Sequence, residues 1–414
     1  MNKKILIIGQ HFWPESFRIN DIADYLTHDR GYSVDVLCGI PNYPSGKFTK
    51  NYGYFKNRTQ KHNNINIRRV FEIPRGNNSN LRIFLNYITY PFASLFHLPR
   101  LLTKKYDSIF IYQLSPVMMA LPGVLLGKLT HTETTMYVLD MWPENLYSVI
   151  DIKNPLLRKI ALTTSNWYYK NVDKLIVLSE TMRTALIEKT NISPDKIVII
   201  PQVAEKLYET PIHDKDLHRR FRDKFVVLFT GNISPAQSFD TMIEAAEILK
   251  RKSYHDIHWL IVGDGMSKKD VIKIIKKRGL DETFTFEGFK PTTDIPKYTE
   301  RADLLVGCLV KSDLLEATIP AKVFSYIAAA KPIVLSMDGE VQDLINNKIN
   351  GGFAGQTEDA SLLAKNIERI YKMSQVERNK FTVRLKSYHG KHLKRDDAFE
   401  MLTDFIENTP PKRL

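Results

Sequence analysis

The sequence predicts two α/β domains in succession, each built on a doubly wound parallel sheet. Three observations predict it. Short runs rich in Ile, Val and Leu alternate with amphipathic runs at helical spacing. The strand-like runs are apolar throughout, as strands covered on both faces are. The alternation also fades in a charged, aperiodic stretch at residues 201–222 and then restarts.

In the first half, strands are expected at Lys4–Gly9, Ser33–Cys38, Ile67–Ile73, Ser108–Tyr112, Thr134–Leu139, Lys174–Leu178 and Lys196–Ile200. Helices are expected at Phe17–His28, Pro155–Lys170 and Thr181–Lys189. In the second half the strands are Phe225–Thr230, His258–Val262, Thr283–Phe286, Asp303–Gly307 and Pro332–Leu335. Its helices are Asp240–Lys250, Lys268–Lys277, Lys322–Ala330 and Asp359–Met373. The domains are therefore placed at 1–205 and 223–393, with a linker at 206–222. A last helical segment, 394–414, is available to pack back on the first domain.

At 414 residues the chain is long enough for two cores. Its two cysteines, Cys38 and Cys308, lie far apart and form neither a disulfide framework nor a metal motif, as suits a reducing compartment. The opening run Ile5–Ile8 is too short for a signal peptide and reads as a first buried strand. Ser108–Gly127 holds 20 residues without a formal charge, a length that spans a bilayer. However, Gln113, Ser115, Pro116 and Pro122 divide it into strand, turn and helix. The net charge of +13 calls for solvated helix faces or an anionic partner. No nucleic-acid motif accompanies it, so nucleic acid is not expected.

The candidate site residues fall where strands meet helices, the ligand-binding edge of open parallel sheets. Gly231-Asn232 follows a strand, and Gln237 sits near the next helix start. Such a turn offers free N–H groups to phosphate oxygens. Gly263-Asp264-Gly265 repeats the pattern one strand later and equally makes a simple turn. Lys322 falls in the first turn of a helix opened by Pro320. A cation is unfavourable there unless an anion shares the site. Asp140 and Glu144 flank Met141-Trp142-Pro143 at the end of a strand, where they either hold ligand hydroxyls or cap a helix. The loop Gly9–Arg18, with His11 and Glu15, and the turn Ile40–Lys47, with Asn42 and Tyr43, are candidate acceptor contacts or plain surface turns.

Together Asp140–Glu144, Gly231–Gln237 with Asp240-Thr241, Gly263–Gly265, and Pro320–Lys322 through Ala330–Ile333 resemble the retaining glycosyltransferases of family 4. The resemblance is to the bacterial capsule, O-antigen and exopolysaccharide branch, including N-acetyl-fucosamine transferases. It implies the GT-B fold, two Rossmann-like domains facing across a cleft. It also implies a UDP-sugar bound by the C-terminal domain, with Gly231, Asn232, Gln237, Gly263, Asp264, Lys322 and Ser325 as donor contacts. Glu316, Asp140 and Glu144 take the catalytic positions, and His11, Glu15, Asn42 and Tyr43 the acceptor side. Neither metal nor cofactor is implied, and the leaving phosphate takes the acceptor proton. The chain departs from the family pattern in three respects. Asn232 and Gln237 stand where many members carry an arginine and a lysine. Ala317 and Ser325 stand where the paired glutamates are usual, with Glu316 one position from the first. Ala330 replaces a glycine.

The run Asn80–Pro99 is apolar and aromatic, with Arg75, Arg82, Arg100, Lys104 and Lys105 around it. Pro91 and Pro99 argue against a membrane span. They leave two readings, a core helix or a patch lying on anionic lipid. The expectation is a retaining hexosyltransferase, peripheral on the inner face of the cell membrane, with a lipid-linked saccharide acceptor. A non-catalytic nucleotide-binding subunit and a nucleotide-sugar epimerase of the same fold are the alternatives.

Overall fold

The computed structural model describes residues 3–43, 45–76, 80–144, 146, 154–312, 316 and 318–407. They fall into two compact units, Met1–Pro201 with Asp396–Leu414, and Gln202–Arg395.

The first unit holds an eight-stranded sheet in the order β3-β4-β2-β1-β5-β6-β7-β8. The strands are β1 Lys4–Ile8, β2 Ser33–Cys38, β3 Thr59–His62, β4 Ile65–Arg69, β5 Ser108–Gln113, β6 Thr134–Val138, β7 Lys174–Val177 and β8 Ile197–Ile199. All described pairs are parallel except β3 with β4. Strand β1 is central, pairing Ile5 with Val34 on one side and with Ser108 on the other. Its Ile5, Leu6, Ile7 and Ile8 are almost wholly buried. Helices cover the sheet: α1 Ile19–His28, α2 Asn80–Leu95, α3 Leu98–Leu102, α4 Leu121–Thr130, α5 Pro155–Lys170 and α6 Glu180–Thr190. Local chemistry sets their starts. Asn154 accepts from the N–H groups of Leu156 and Leu157 ahead of Pro155, and Ser179 accepts from Met182.

The second unit holds six parallel strands in the order β11-β10-β9-β12-β13-β14. They are β9 Phe225–Thr230, β10 Ile257–Val262, β11 Phe284–Gly288, β12 Leu304–Cys308, β13 Ile333–Ser336 and β14 Gly352–Gly355. This is the doubly wound order, with its reversal between β9 and β12. Its helices are α7 Lys215–Arg220, α8 Phe239–Arg251, α9 Lys268–Lys277, α10 Ile295–Arg301, α11 Ala321–Ala329, α12 Glu340–Asp343, α13 Ala360–Lys372 and α14 Gln375–His392. Trp259, Phe229, Met242 and Ile367 fill the core between sheet and helices. The final helix, α15 Arg395–Ile406, packs on the first unit. Its Phe399 meets Tyr25 edge-on, and Lys174 donates to the Phe405 carbonyl.

Two expectations need correction. The strand expected at Ile67–Ile73 is Ile65–Arg69, because residues 70–73 leave the sheet and carry Glu72 into the interior. It is preceded by β3 across a two-residue turn, Asn63-Asn64, both at positive φ. Residues 206–222 are not a free linker: Asp214 caps α7, and Leu217 and Phe221 are buried in the second unit. Pro91 lies inside a helix, α2, which runs from Asn80 to Leu95.

Candidate functional site

In the second unit β9 and β12 pair only at Val227–Leu304 and Leu228–Leu305. Beyond that point they separate, and the Tyr326 hydroxyl fills the gap. It accepts from the Thr230 N–H at 3.0 Å and donates to the Val306 carbonyl at 3.2 Å. The split opens at the carboxyl ends of the strands, the crevice where this topology binds ligands.

Gly231 and Lys322 meet at this crevice. Gly231 takes φ +133°, and a Cβ there would stand 3.4 Å from Lys322 Nζ. Gly263 takes φ +151° against the Gly231 carbonyl, where a Cβ would approach to 1.8 Å. Both backbone shapes belong to glycine. The two turns are laced together by Gly231 N–H to Val262 O and Ile233 N–H to Asp264 O.

Lys322 lies in the first turn of α11, whose N-cap, Pro320, makes no side-chain cap bond. Its ammonium sits 4.0 Å from the Phe229 ring centre and donates to Gln237 Oε1. No carboxylate pairs with it among the described residues. Burial pushes its pKa down to about 7, with the Cys308 thiol the only opposing influence. Part of the side chain nevertheless stays accessible. An amine largely withdrawn from water at a helix N-terminus, beside an open glycine turn, is a receptor for an anion.

The other expected donor residues are placed as follows. Asn232 is exposed beside Gly231. Asp264 is exposed and turned to its own loop, accepting from the Gly265 N–H at 2.9 Å and pairing with Lys268 at 3.4 Å, so it serves the turn. Ser325 is buried in α11 about one turn beyond Lys322. Glu316 is half-buried, with its N–H on the Ser312 carbonyl. Asp313, Leu314, Leu315 and Ala317 lie outside the described residues. Ala330, where glycine was noted as usual, takes φ +54° as the C-cap of α11.

In the first unit the loops after β1 and β2 carry the acceptor candidates, and the loop after β6 carries Asp140 and Glu144. The His11 ring stacks on Phe17 and leaves Nδ1 2.8 Å from Glu15 Oε2. Glu15 Oε1 accepts from the N–H groups of Asn42 and Tyr43 at 2.7 and 2.6 Å. His11, Glu15 and Asn42 are all buried, so they form a scaffold rather than an open contact surface. Tyr43 keeps 37% of its surface exposed and is the accessible member of the set. Asp140 Oδ2 accepts from the Ser115 N–H at 3.0 Å, and burial raises its pKa against that bond and the nearby Arg75 charge. Glu144 pairs with Lys189, which also donates to the Trp142 carbonyl. Its carboxylate is thus engaged in an ion pair.

Two residues were not singled out from sequence as site members. Glu72 is fully buried and accepts from Gln10 Nε2 and Asn42 Nδ2 at 2.9 and 2.8 Å. Burial pushes its pKa up to about 8. Arg75 lies 5.5 Å from the Tyr87 ring centre and 6.0 Å from that of Tyr43, and its charge acts on both Asp140 and Glu72. Neither lies on a strand, and their partners come from distant segments.

Residues 18–203 match the family described as Glycosyltransferase Family 4, and residues 213–387 match Glycosyl transferases group 1. The chain is similar to the putative colanic acid biosynthesis glycosyl transferase WcaI of Escherichia coli K12, at 23% identity over 81% of this chain and 83% of the relative. Among solved structures, sucrose-phosphate synthase from Thermosynechococcus elongatus superposes with a TM-score of 0.74 at 14% identity, covering 98% of this chain and 99% of the other. The Anabaena protein HepE, solved in complex with UDP, gives 0.71 at 15% identity over 99% and 100% of the two chains.

Proposed function

This chain is a glycosyltransferase of the GT-B fold, and on that premise we propose that it moves a sugar from a UDP-linked donor to a lipid-linked or saccharide acceptor in surface polysaccharide synthesis. The observation that carries the donor half is the Lys322 ammonium, largely withdrawn from water and without a carboxylate partner among the described residues, at the Gly231 turn. A pyrophosphate supplies the charge that this amine lacks. The UDP bound by HepE supports that choice of nucleotide, and the name of WcaI supports a polysaccharide product.

In this reading Gly231, Asn232 and Lys322 hold the diphosphate, Glu316 and Ser325 lie toward the sugar and ribose, and Tyr43, Arg75 and Asp140 receive the acceptor. Transfer proceeds with retention and without a metal: the departing diphosphate oxygen takes the acceptor proton as the new glycosidic bond forms. Helix α2 supports a membrane-borne acceptor. It is turned inside out, with Asn86, Tyr87, Tyr90 and Ser94 buried and Leu81, Phe84 and Phe92 exposed. Phe96, just beyond it, is 88% exposed. Among the described residues no helix is long and apolar enough to cross a membrane. An apolar outer face with Arg82, Arg100, Lys104 and Lys105 near it in sequence suits the surface of an anionic leaflet.

The test is transfer from a panel of UDP-sugars to short polyprenyl-diphosphate saccharides, with the anomeric configuration of the product read by NMR. An axial donor giving an axial product is expected. Nucleotide binding with neither transfer nor donor hydrolysis would establish a non-catalytic subunit instead, and interconversion of free UDP-sugars would establish an epimerase.

A further inference from the structure

The first unit contains a cavity of about 270 Å³ between β2, β4 and helix α3, apart from the loops that carry the acceptor candidates. Its polar lining includes Asp35, Asn66, Arg68, His97, Arg100 and Lys104. The acid among them is already satisfied. Asp35 Oδ2 binds Lys104 Nζ at 2.6 Å, Tyr106 Oη at 2.8 Å and, more loosely, Lys4 Nζ at 3.8 Å, while Oδ1 accepts from Asn66 at 2.9 Å. The guanidinium groups of Arg68 and Arg100 have no hydrogen-bond or ion-pair partner among the described residues. Asp35 is the one carboxylate in this lining, and its charge reaches Arg68, but it faces Arg68, Arg100 and Lys104 together, so the wall keeps an excess of positive charge that an anion between the two arginines lowers. The repulsion is felt locally. Burial and the charges of Arg68, Arg58 and Arg100 push the His97 pKa down to about 4, leaving a neutral imidazole at the cavity.

We propose that this cavity is a phosphate-ester site, in which Arg68 and Arg100 grip the phosphate oxygens and His97 donates one N–H. Planar guanidinium forks suit a phosphate, and a neutral imidazole adds a donor. The volume lies just below the range of small-molecule pockets, so it takes a headgroup rather than a whole glycolipid. Its position indicates the source. Arg100 and the exposed Leu102 stand on α3, which follows α2 and Phe96 directly, so an ester seated here has apolar side chains next along the chain for its acyl portion. The choice of a lipid rests on the membrane reading above; the anion chemistry of the cavity does not.

The experiment uses the full chain, with sn-glycerol 3-phosphate in solution and vesicles of phosphatidylglycerol in phosphatidylcholine as probes. Arg68→Gln/Arg100→Gln is compared with Lys273→Gln/Lys277→Gln, which removes the same charge from the exposed face of α9. The wild type should bind glycerol phosphate by calorimetry, and the arginine pair should weaken it by about tenfold or more while UDP affinity stays unchanged and the melting temperature does not fall. Flotation on the anionic vesicles should fall for the arginine pair and persist for the lysine pair. Loss of glycerol phosphate binding with flotation intact would keep the site and assign it a soluble ester. No binding by the wild type, equal binding by the arginine pair, or equal losses in the two pairs would overturn the proposal. Phe92→Ser/Phe96→Ser separates the two ideas: unchanged flotation contradicts the membrane reading and leaves glycerol phosphate binding to judge the cavity.

Discussion

Lys322 is the residue on which the donor chemistry turns, and its pH behaviour is distinctive. Its folded pKa, about 7, lies below the ordinary lysine value because burial penalises the charged form. The unfolded chain therefore holds the extra proton between about pH 7 and 10.4. The penalty is complete below pH 7 and fades as the pH rises through that window. Lys322→Met should melt at a higher temperature than wild type at pH 6.5, with the gap closing toward pH 10, and should lose UDP binding. Equal pH profiles in calorimetric unfolding would contradict the buried, unpaired amine. Glu72 gives the opposite case. Its folded pKa, about 8, is raised above the unfolded value by burial. Its contribution is fully present below about pH 4 and is lost as the pH climbs through 8. Glu72→Gln should leave stability at pH 4 nearly unchanged and raise it at pH 9, as read from urea midpoints.

At the scale of elements, the crevice depends on the Tyr326 hydroxyl, which joins two strands that have ceased to pair. Tyr326→Phe leaves a buried N–H and a buried C=O unsatisfied and should cost about 1–3 kcal/mol. It should also weaken UDP binding, because Gly231 follows Thr230 directly; wild-type stability would show that the strands close the gap themselves. Elements with a strong apolar period were legible in the sequence: β9 and α9 occupy the expected Phe225–Thr230 and Lys268–Lys277. The missed elements lack that period. Strand β3 is Thr-Gln-Lys-His, β14 is Gly-Phe-Ala-Gly, and α14 carries charge around most of its surface. The Gly231–Lys322 edge was visible because each half has a local signature. The part played by Glu72 and Arg75 was not, since it arises from Gln10, Asn42, Asn86 and Asp140, which only the fold assembles. The same holds for Glu144, whose partner Lys189 lies 45 residues away.

On the scale of the whole molecule, the chain's end completes its beginning. Helix α15 buries Phe399, Leu402, Phe405 and Ile406 in the first unit, and Lys3–Glu407 and Arg30–Asp404 ion pairs flank it. Ending the chain at Leu393 removes that apolar surface and should destabilise the first unit by on the order of 5 kcal/mol. The second unit keeps its own core, so UDP should still bind; loss of UDP binding in the shortened chain would contradict that independence. The central claim concerns where the nucleotide sits, and a crystal structure of the chain with UDP tests it most directly. The account predicts diphosphate oxygens within hydrogen-bonding distance of Lys322 Nζ and of the backbone at the Gly231 turn. UDP bound elsewhere, with Lys322 still donating to Gln237 and the turn unoccupied, would contradict it.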